Sequence, residues 1–473
     1  MLSSRARPGV TGLLAGAAIG VYLLVAAGAT AALADAARAC STWPGCAGSP
    51  LEPGVAVALA HRGVAAAVGV LVLAAAVAVL RGETGRRVTA ATLVALALYP
   101  VQVGVGAFVA LGGAVPPLPG VHLLVGAGIF GALVLALAWH LEAETGTADD
   151  PLASVEPVAS VESRKPDPGD DTPTTATPPA ERPLRVRVRA RALAYARLTK
   201  PRLMWLLCLV AAAAMALAGG PGLTVRTVVL TLGGGVLAIG ASGTFNHVLE
   251  RDRDRRMRRT SDRPVATHRI PSHRAVAFGL GLAVLSLAVF VQVNPLTALL
   301  GLTALIFYSV VYTLLLKPNT VQNTVIGGAA GALPALIGWA AVTGRVGLPG
   351  FALAGLIFVW TPAHFYNLAL AYKDDYARGG FPMMPVVRGE TATRKHILLW
   401  LGATLAAASA LIGLTDLGWL TAGATTVLGA VFLWAVVHLH REQTEQAAFR
   451  AFHASNAYLG VVLVAIVVDA LAV

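Results

Sequence analysis

Three side chains that carry oxygen ligands recur at four-residue spacing in the middle of the chain: Asn246, Glu250 and Asp254. Residues four apart lie on one face of an α-helix, so one amide and two carboxylates would form a row. Mg²⁺ prefers oxygen ligands and commonly completes its octahedron with water and substrate phosphates. The spacing therefore predicts a Mg²⁺ site at a helix end, suited to a diphosphate substrate.

A second acidic pair, Asp374 and Asp375, follows a later apolar segment much as the first row follows its own. We expect Asp375 to be a further Mg²⁺ ligand and Asp374 to contact the same substrate. A departing diphosphate needs its charge neutralised by metal ions and by Arg or Lys. The candidate cations, all near ends of apolar segments, are Lys200, Arg202, Arg263 and Lys317. The alternative is that both acidic stretches are simply solvated charged loops.

One ionisable side chain, His364, lies inside an apolar segment shortly before the second acidic pair. Ionisable groups are costly within a membrane span and are therefore candidates for a functional role. We count His364 among the candidate substrate-binding residues. The alternative is a core histidine that is hydrogen-bonded to a backbone carbonyl.

The elements that must position these residues are membrane helices. The chain has 473 residues, of which 56% are hydrophobic and 13% charged, and its mean hydropathy is +0.71. A soluble domain cannot bury that much apolar surface, and the apolar segments run continuously instead of alternating as in a β-barrel. Four such segments precede residue 142 and nine follow residue 202. The net charge of +12 comes from Arg residues beside these segments, which favours a role in membrane topology over nucleic-acid binding.

The composition divides the chain into three parts. Residues 1–141 form a predicted four-helix transmembrane bundle and residues 195–473 a predicted nine-helix transmembrane domain, so the fold class is all-α and polytopic. Residues 142–194 are first acidic and Pro-rich and then basic, which predicts a disordered linker. Basic loops alternate with loops poor in Lys and Arg. The positive-inside rule therefore puts both acidic segments on the cytoplasmic side of the cell membrane.

The N-terminal part carries a separate set of candidate residues. His61 and His122 lie near the outer ends of the second and fourth predicted helices, where two imidazoles suit axial ligation of a haem. Arg62 would then pair with a haem propionate. Cys40 and Cys46 lie in an outer loop and face an oxidising compartment, where a disulfide is plausible, whereas a zinc site would want more ligands.

Residues 195–473 resemble the UbiA-type intramembrane prenyltransferases, and within them the haem O synthase branch. The matching stretches are Leu198-Thr199-Lys200-Pro201-Arg202, the row from Asn246 to Asp254, Trp360-Thr361-Pro362-Ala363-His364-Phe365 and Lys373-Asp374-Asp375-Tyr376. Two departures are Glu250, where the superfamily usually has Asp, and Gly379, where many relatives have an Asp four residues after the first. The resemblance implies Mg²⁺-dependent farnesyl transfer from farnesyl diphosphate to a vinyl group of haem b (protohaem IX), within the lipid bilayer, for terminal oxidase haem.

Residues 10–141 resemble one half of haem A synthase. The likeness rests on Cys40 and Cys46 around Trp43-Pro44, on His61-Arg62, on Gln102 and on His122. The catalytic half of that family has a Glu where this chain has Ala58. The resemblance thus implies a bound haem without the full haem A synthase activity, and it suggests haem A synthase or terminal oxidase assembly proteins as partners.

Three other functions remain open at this point. The chain could be another UbiA-type prenyltransferase acting on a quinone or lipid precursor, a bifunctional haem O and haem A synthase, or a haem carrier. The fused haem-like domain disfavours the first, Ala58 disfavours the second, and the nearly intact row at Asn246 disfavours the third.

Overall fold

The protein is helical throughout the part of the chain that can be described. The structure, a computed structural model, describes residues 9–33, 39–40, 42–112, 117–146, 183–415 and 417–472. Thirteen helices in these ranges are long and apolar enough to cross a membrane, and the same ranges contain no strand. The prediction of an all-α polytopic membrane protein is confirmed. Most of the predicted linker, residues 147–182, lies outside the described residues.

Four helices make up the N-terminal bundle. Their bounds are α1 Val10–Leu33, α2 Pro53–Arg81, α3 Arg86–Gly112 and α4 Leu118–Thr145. Helix α3 packs on α4, and α1 packs on both α2 and α4. Small residues at the contacts allow a close approach: a Cβ atom at Gly20 would lie 2.9 Å from Val68.

The second part contains nine further spans with their short companion helices. Their bounds are α5 Leu184–Leu198, α6 Pro201–Ala218, α7 Val225–Leu249, α8 Arg251–Asp254, α9 Ser272–Val291, α10 Pro295–Ile306, α11 Lys317–Asn319, α12 Asn323–Thr343, α13 Leu348–Ala371, α14 Lys373–Arg378, α15 Met384–Val387, α16 Gly389–Gly413, α17 Trp419–Glu442 and α18 Glu445–Ala472. A π-helical stretch, Phe307–Leu316, joins α10 and α11 into one span.

Two pieces of the predicted linker are helical. Helix α4 continues to Thr145, and the basic piece forms α5, because its Ala, Leu and Arg residues are good helix formers. The break between α5 and α6 falls at Lys200, which has left-handed backbone angles of φ 52° and ψ 57°. Pro201 disfavours the right-handed helical conformation at the residue before it, so the break is encoded locally.

The two bundles pack directly against each other. Helices α1 and α4 contact α16 and α17, and one apolar core runs across the boundary. The approach is close, since a Cβ atom at Gly402 of α16 would lie 2.7 Å from Val134 of α4. At one end of this interface Lys395 pairs with Glu142. The N-terminal bundle is therefore a fixed part of the molecule.

Both acidic segments lie at this same end. Lys200, before α6, meets Asn246 at the end of α7. Lys373, in the second acidic segment, has its Nζ 3.0 Å from Glu390 at the start of α16, which is the helix that carries Lys395. The fold thus brings the ends of α4, α7 and α13 to one side, as the alternation of basic loops predicts.

Candidate active site

The first acidic row is built on a helix that continues across a short irregularity. Helix α7 ends at Leu249, Glu250 has non-helical angles of φ −95° and ψ 4°, and α8 follows at once. The helical hydrogen-bond ladder continues nonetheless. Glu250 N–H donates to Asn246 O at 3.0 Å, and Asp254 N–H donates to Glu250 O at 2.8 Å. The three side chains therefore keep the stacked order that their spacing predicts.

Each member of the row faces a basic side chain. Lys200 Nζ donates to Asn246 Oδ1. Lys317 Nζ lies 2.6 Å from Glu250 Oε1. Arg263 Nη1 lies 2.8 and 2.7 Å from the two carboxylate oxygens of Asp254, and 3.9 Å from Glu250 Oε2. Three of the four cations that the sequence singled out therefore converge on the row.

This cluster is buried, and its electrostatics favour an added anion. Asn246, Glu250 and Asp254 are only 2%, 4% and 1% exposed. Burial and the nearby Arg263 lower the pKa of the Lys200 amine to about 7. Burial raises the pKa of Glu250, but the charges of Lys317 and Lys200 outweigh it and hold that pKa below its usual value. A diphosphate at this place would favour the protonated form of Lys200, so that three cations, Lys200, Lys317 and Arg263, would face its negative charge.

The oxygen donors of the row fit Mg²⁺ that is shared with a substrate. In the part of the chain that the structure describes, no three His, Cys, Asp or Glu side chains converge into a metal site. Mg²⁺ usually binds through one or two protein carboxylates and completes its shell with water and phosphate oxygens. Asn246, Glu250 and Asp254 supply the right donors for that arrangement. Their present pairing with cations means that a diphosphate would have to arrive with the metal.

The second acidic segment is held differently. Asp375 Oδ1 accepts a hydrogen bond from the backbone N–H of Arg258 at 3.0 Å, and Oδ2 accepts one from Arg259 N–H at 3.0 Å. Arg378 pairs with Oδ1 as well. Burial raises the pKa of Asp375, but the hydrogen bonds from Arg259, Arg378 and Arg258 outweigh it and keep that pKa below its usual value. Asp375 thus fastens α14 to the loop that follows α8.

The structure bears differently on the roles predicted for Asp375 and Asp374. Three donors already occupy the oxygens of Asp375, which leaves about one lone pair for a cation. Its role as a Mg²⁺ ligand stays a prediction. Asp374 is exposed and lines an open polar cleft with Arg258, Arg259 and Arg378.

An apolar cavity extends from Lys200 between α6, α7, α12 and the π-helical stretch. Its walls include Leu207, Ala238, Tyr308 and Ile337. Phe290 also lines the cavity. Glycines beside its ring leave room for it, since Cβ atoms at Gly234 and Gly301 would lie 2.8 and 2.5 Å from the ring. A molecule with an anionic head at Lys200 and an apolar tail in this cavity fits the chemistry of its walls.

The π-helical stretch connects this cavity to the row. Thr313 Oγ1 donates to Tyr308 O at 2.8 Å, five residues back, and Asn246 Nδ2 donates to Thr313 Oγ1 at 3.4 Å. Extended π-helical turns are uncommon and are often found at functional sites. Here the stretch places Tyr308 in the cavity wall and Thr313 against the row.

Both the sequence and the fold of the chain are similar to those of known proteins. Residues 205–459 match the model of the UbiA prenyltransferase family. The chain belongs to the UbiA prenyltransferase family. A Haloarcula marismortui protein named "Protoheme IX farnesyltransferase" is 67% identical over 98% of this chain and 98% of its own. A Saccharopolyspora erythraea protein, "Protoheme IX farnesyltransferase 1", is 42% identical over 58% of this chain and 89% of its own.

A solved structure supports the family's fold. That of Digeranylgeranylglyceryl phosphate synthase superposes with a TM-score of 0.51 at 14% identity, covering 60% of this chain and all of the other. As a UbiA family member the chain is a prenyltransferase, and the row at Asn246 lies within the matched residues.

Some predicted site residues lie apart from the row. Arg202 is exposed, and it makes no ion pair with a described residue. His364 is buried between α13 and α18, where its Nδ1 lies 2.7 Å from Ser455 Oγ.

The N-terminal histidines lie on two helices of their own bundle. His61 is on α2 and His122 is on α4, where His122 Nε2 lies 3.2 Å from Gln102 Nε2. The Nδ1 atoms of both histidines are buried without a hydrogen-bond partner among the described residues. Two such unpartnered imidazole nitrogens inside one bundle fit the chemistry of a haem iron or another bound metal.

Arg62 and the two cysteines occupy the neighbouring outer loop. Arg62 donates to the backbone carbonyls of Thr42, at 3.1 Å, and Pro44, at 3.0 Å, and to that of Gly45. All three contacts use Nη1, so the N–H groups of Nε and Nη2 are not engaged by these carbonyls, and the propionate contact stays a prediction. Cys40 and Cys46 form a disulfide, with their Cα atoms 5.0 Å apart, and so close the same loop.

Sequence reasoning missed His247. It follows Asn246 directly and is only 4% exposed, and its Nδ1 is buried without a described partner near Lys200 and Arg263. Its position next to the row was the available signal. Thr313 was missed too, because no local pattern shows that a hydroxyl 67 residues away touches Asn246.

Proposed function

We propose that the chain is a haem O synthase, which transfers the farnesyl group of farnesyl diphosphate to a vinyl group of haem b. The observation that carries the proposal is the buried, cation-rich row joined at Lys200 to an apolar cavity. That combination suits an allylic diphosphate with its tail in the cavity. The 67% identity to a protein named "Protoheme IX farnesyltransferase" supports haem b as the acceptor.

The row and its cations serve the departure of diphosphate. Asn246, Glu250 and Asp254 would hold Mg²⁺, which supplies positive charge to the leaving group. Lys200, Lys317 and Arg263 neutralise the remaining charge as the allylic C–O bond breaks and its electron pair leaves with the diphosphate. A vinyl carbon of haem b then forms the new C–C bond. Water adds to the resulting cation and releases a proton, which gives a hydroxyethylfarnesyl side chain.

The cavity walls protect the reactive carbon. Leu207, Ala238 and Ile337 exclude water from the tail, which keeps the allylic cation from being quenched before the vinyl group attacks. The face of Tyr308 lies in the same wall and is available to stabilise positive charge.

The division into domains and the orientation belong to this proposal. Residues 195–473 form the transferase, a view supported by the Saccharopolyspora erythraea protein, which is similar over only 58% of this chain. Residues 1–141 form a haem-binding bundle, supported by the buried and unpartnered Nδ1 atoms of His61 and His122. Both acidic segments face the cytoplasm, so a cysteine introduced at the exposed Asp252 should be labelled only after the membrane is permeabilised.

One assay tests the reaction. Membranes that contain the full chain are given haem b, farnesyl diphosphate and Mg²⁺, and the pigments are resolved by mass. Formation of haem O supports the proposal. Haem A would indicate a bifunctional enzyme, and unchanged haem b with another prenylated product would indicate a quinone or lipid acceptor.

A second measurement tests the N-terminal haem. The purified full chain should carry haem with a Soret band that the double variant His61→Ala/His122→Ala loses in large part. His140→Ala, on the same helix as His122, is the matched control and should retain the band. An unchanged band in the double variant would remove these histidines as ligands.

A further inference from the structure

His364 is clamped by aromatic rings on both faces. Its imidazole stacks on Trp360 at 4.3 Å between centroids and 14° between planes, and on Phe452 at 4.4 Å and 28°. Phe365 adds an edge contact at 5.4 Å. With both faces covered, the ring cannot turn, and only its edge is available for a partner.

Hydrogen bonds to α18 decide which nitrogen carries the proton. The hydroxyl of Ser455 donates to Phe452 O at 2.7 Å, so its only hydrogen is already used. Ser455 Oγ must then accept the 2.7 Å hydrogen bond that joins it to His364 Nδ1. Trp360 Nε1 donates to Ser455 O at 3.1 Å and fixes the same residue from its other side. His364 is therefore protonated at Nδ1, and its Nε2 carries a lone pair.

That lone pair has no hydrogen-bond partner among the described residues. His364 is 7% exposed, and its unpaired Nε2 keeps some accessible surface, whereas the unpaired Nε2 of His440 is fully buried. An unpaired acceptor in the interior of a membrane protein is costly unless a ligand uses it. The arrangement thus offers a fixed, aimed lone pair to a molecule that comes from outside the helix pair.

We propose that Nε2 of His364 is an axial ligand to the iron of the acceptor porphyrin, a role that rests on the proposed function. Histidines that bind metals usually donate their other N–H to a fixed acceptor, which sets the tautomer and raises the basicity of the ligating nitrogen. The path from His364 Nδ1 through Ser455 Oγ to Phe452 O is such an arrangement. Ligation would hold the acceptor by its iron and leave its vinyl edge free to react.

The test uses the full chain with His61→Ala and His122→Ala, so that N-terminal haem does not contribute. This parent protein is loaded with ferrous haem b, and its iron–imidazole stretching band is recorded by resonance Raman spectroscopy. The band should be present in the parent and absent after His364→Gln. Ser455→Ala should retain the band at a shifted frequency and weaken haem binding about 10- to 100-fold.

His438→Gln is the matched control. His438 also contacts a tryptophan one turn back, Trp434, at 4.2 Å between centroids and 42° between planes. Its Nδ1 lies 2.9 Å from Trp434 O, and it is only half-buried, whereas His364 is buried. The band should be unchanged in this variant. Farnesyl diphosphate binding serves as the folding check for every variant, since that site does not include His364.

The outcomes separate the two proposals. A band that persists after His364→Gln, or a parent that binds haem without the band, overturns the axial ligand and leaves the reaction standing. A parent that binds farnesyl diphosphate but no haem overturns the acceptor, and the ligand with it. If His364→Gln is the only variant that loses farnesyl diphosphate binding, that variant is misfolded and the Ser455→Ala variant provides the test. An unshifted band and an unchanged haem affinity in Ser455→Ala would then refute His364 as the axial ligand.

Discussion

The two acidic segments occupy corresponding helix ends but use their carboxylates in opposite ways. Glu250 and Asp254 meet the side-chain cations Lys317 and Arg263, whereas Asp375 meets the backbone N–H groups of Arg258 and Arg259. Side-chain cations can change partners by rotation, so Lys317 and Arg263 could turn towards a diphosphate, and the two carboxylates would then be available to hold Mg²⁺. Backbone donors cannot leave without moving the loop. The first segment is thus built to exchange partners, and the second is built to hold the first in place.

Removing charge from the first segment should have the largest effect. Asp254→Asn should lower farnesyl transfer by about 10²- to 10³-fold, because the variant loses a carboxylate proposed to hold Mg²⁺ and the ion pair between Asp254 and Arg263 Nη1. The measurement is product formation in membranes at matched protein levels. Asp252→Asn is the control, since among the described residues this exposed carboxylate pairs only with Arg251 and Arg255. Equal activity in both variants would remove Asp254 from the site.

The second segment should give a smaller loss of another kind. Asp375→Asn removes a charge-assisted hydrogen bond to a backbone N–H, a change of about 1.5–3 kcal/mol, or roughly 10- to 100-fold in activity. The Mg²⁺ concentration for half-maximal activity should stay the same, while protease cleavage in loop 255–270 should speed up. A shift in the Mg²⁺ requirement with an unchanged cleavage rate would identify Asp375 as a metal ligand instead.

Replacing Asp374, the neighbour of Asp375, should have the smallest effect on the transfer rate. Asp374 is exposed, and exposed substitutions away from special features usually change stability by less than about 0.5 kcal/mol. Asp374→Asn should therefore alter the transfer rate by less than about twofold. A rise of more than twofold in KM for farnesyl diphosphate would indicate that Asp374 contacts this substrate, as the sequence predicts.

The fold followed from the sequence because its main signal is local. Each span is a run of apolar residues long enough for the bilayer, and the structure's helices agree with these runs to within a few residues at most ends. The departures were also local. The high charge of residues 184–198 and their lack of a long apolar run predicted a linker. Their good helix formers nevertheless produce a short helix.

The sequence could predict contacts within the site only between residues of one helix. The row at Asn246 could be found because spacing alone places its members together. Lys200, Arg263 and Lys317 could be named as candidate cations, but which member of the row each one meets could not be predicted, since Lys317 lies 67 residues from Glu250. The contact between Asp375 and Arg258, 117 residues apart, could not be predicted either. Only packing among distant helices decides such contacts. The contacts of Arg62 show the same limit: nothing in the sequence shows that the disulfide loop turns its carbonyls towards it.

The direct contact between α4 and α16 fixes the relative depth of the two histidine sites. Glu142 of α4 pairs with Lys395 near the acidic end, and His122 lies 20 residues earlier, about 30 Å away at 1.5 Å per residue. His364 lies seven residues before the end of α13, only about 10 Å from that end. Porphyrins bound at the two places would therefore lie near opposite ends of the helices, so a direct sideways transfer of haem between the N-terminal bundle and the transferase is not expected.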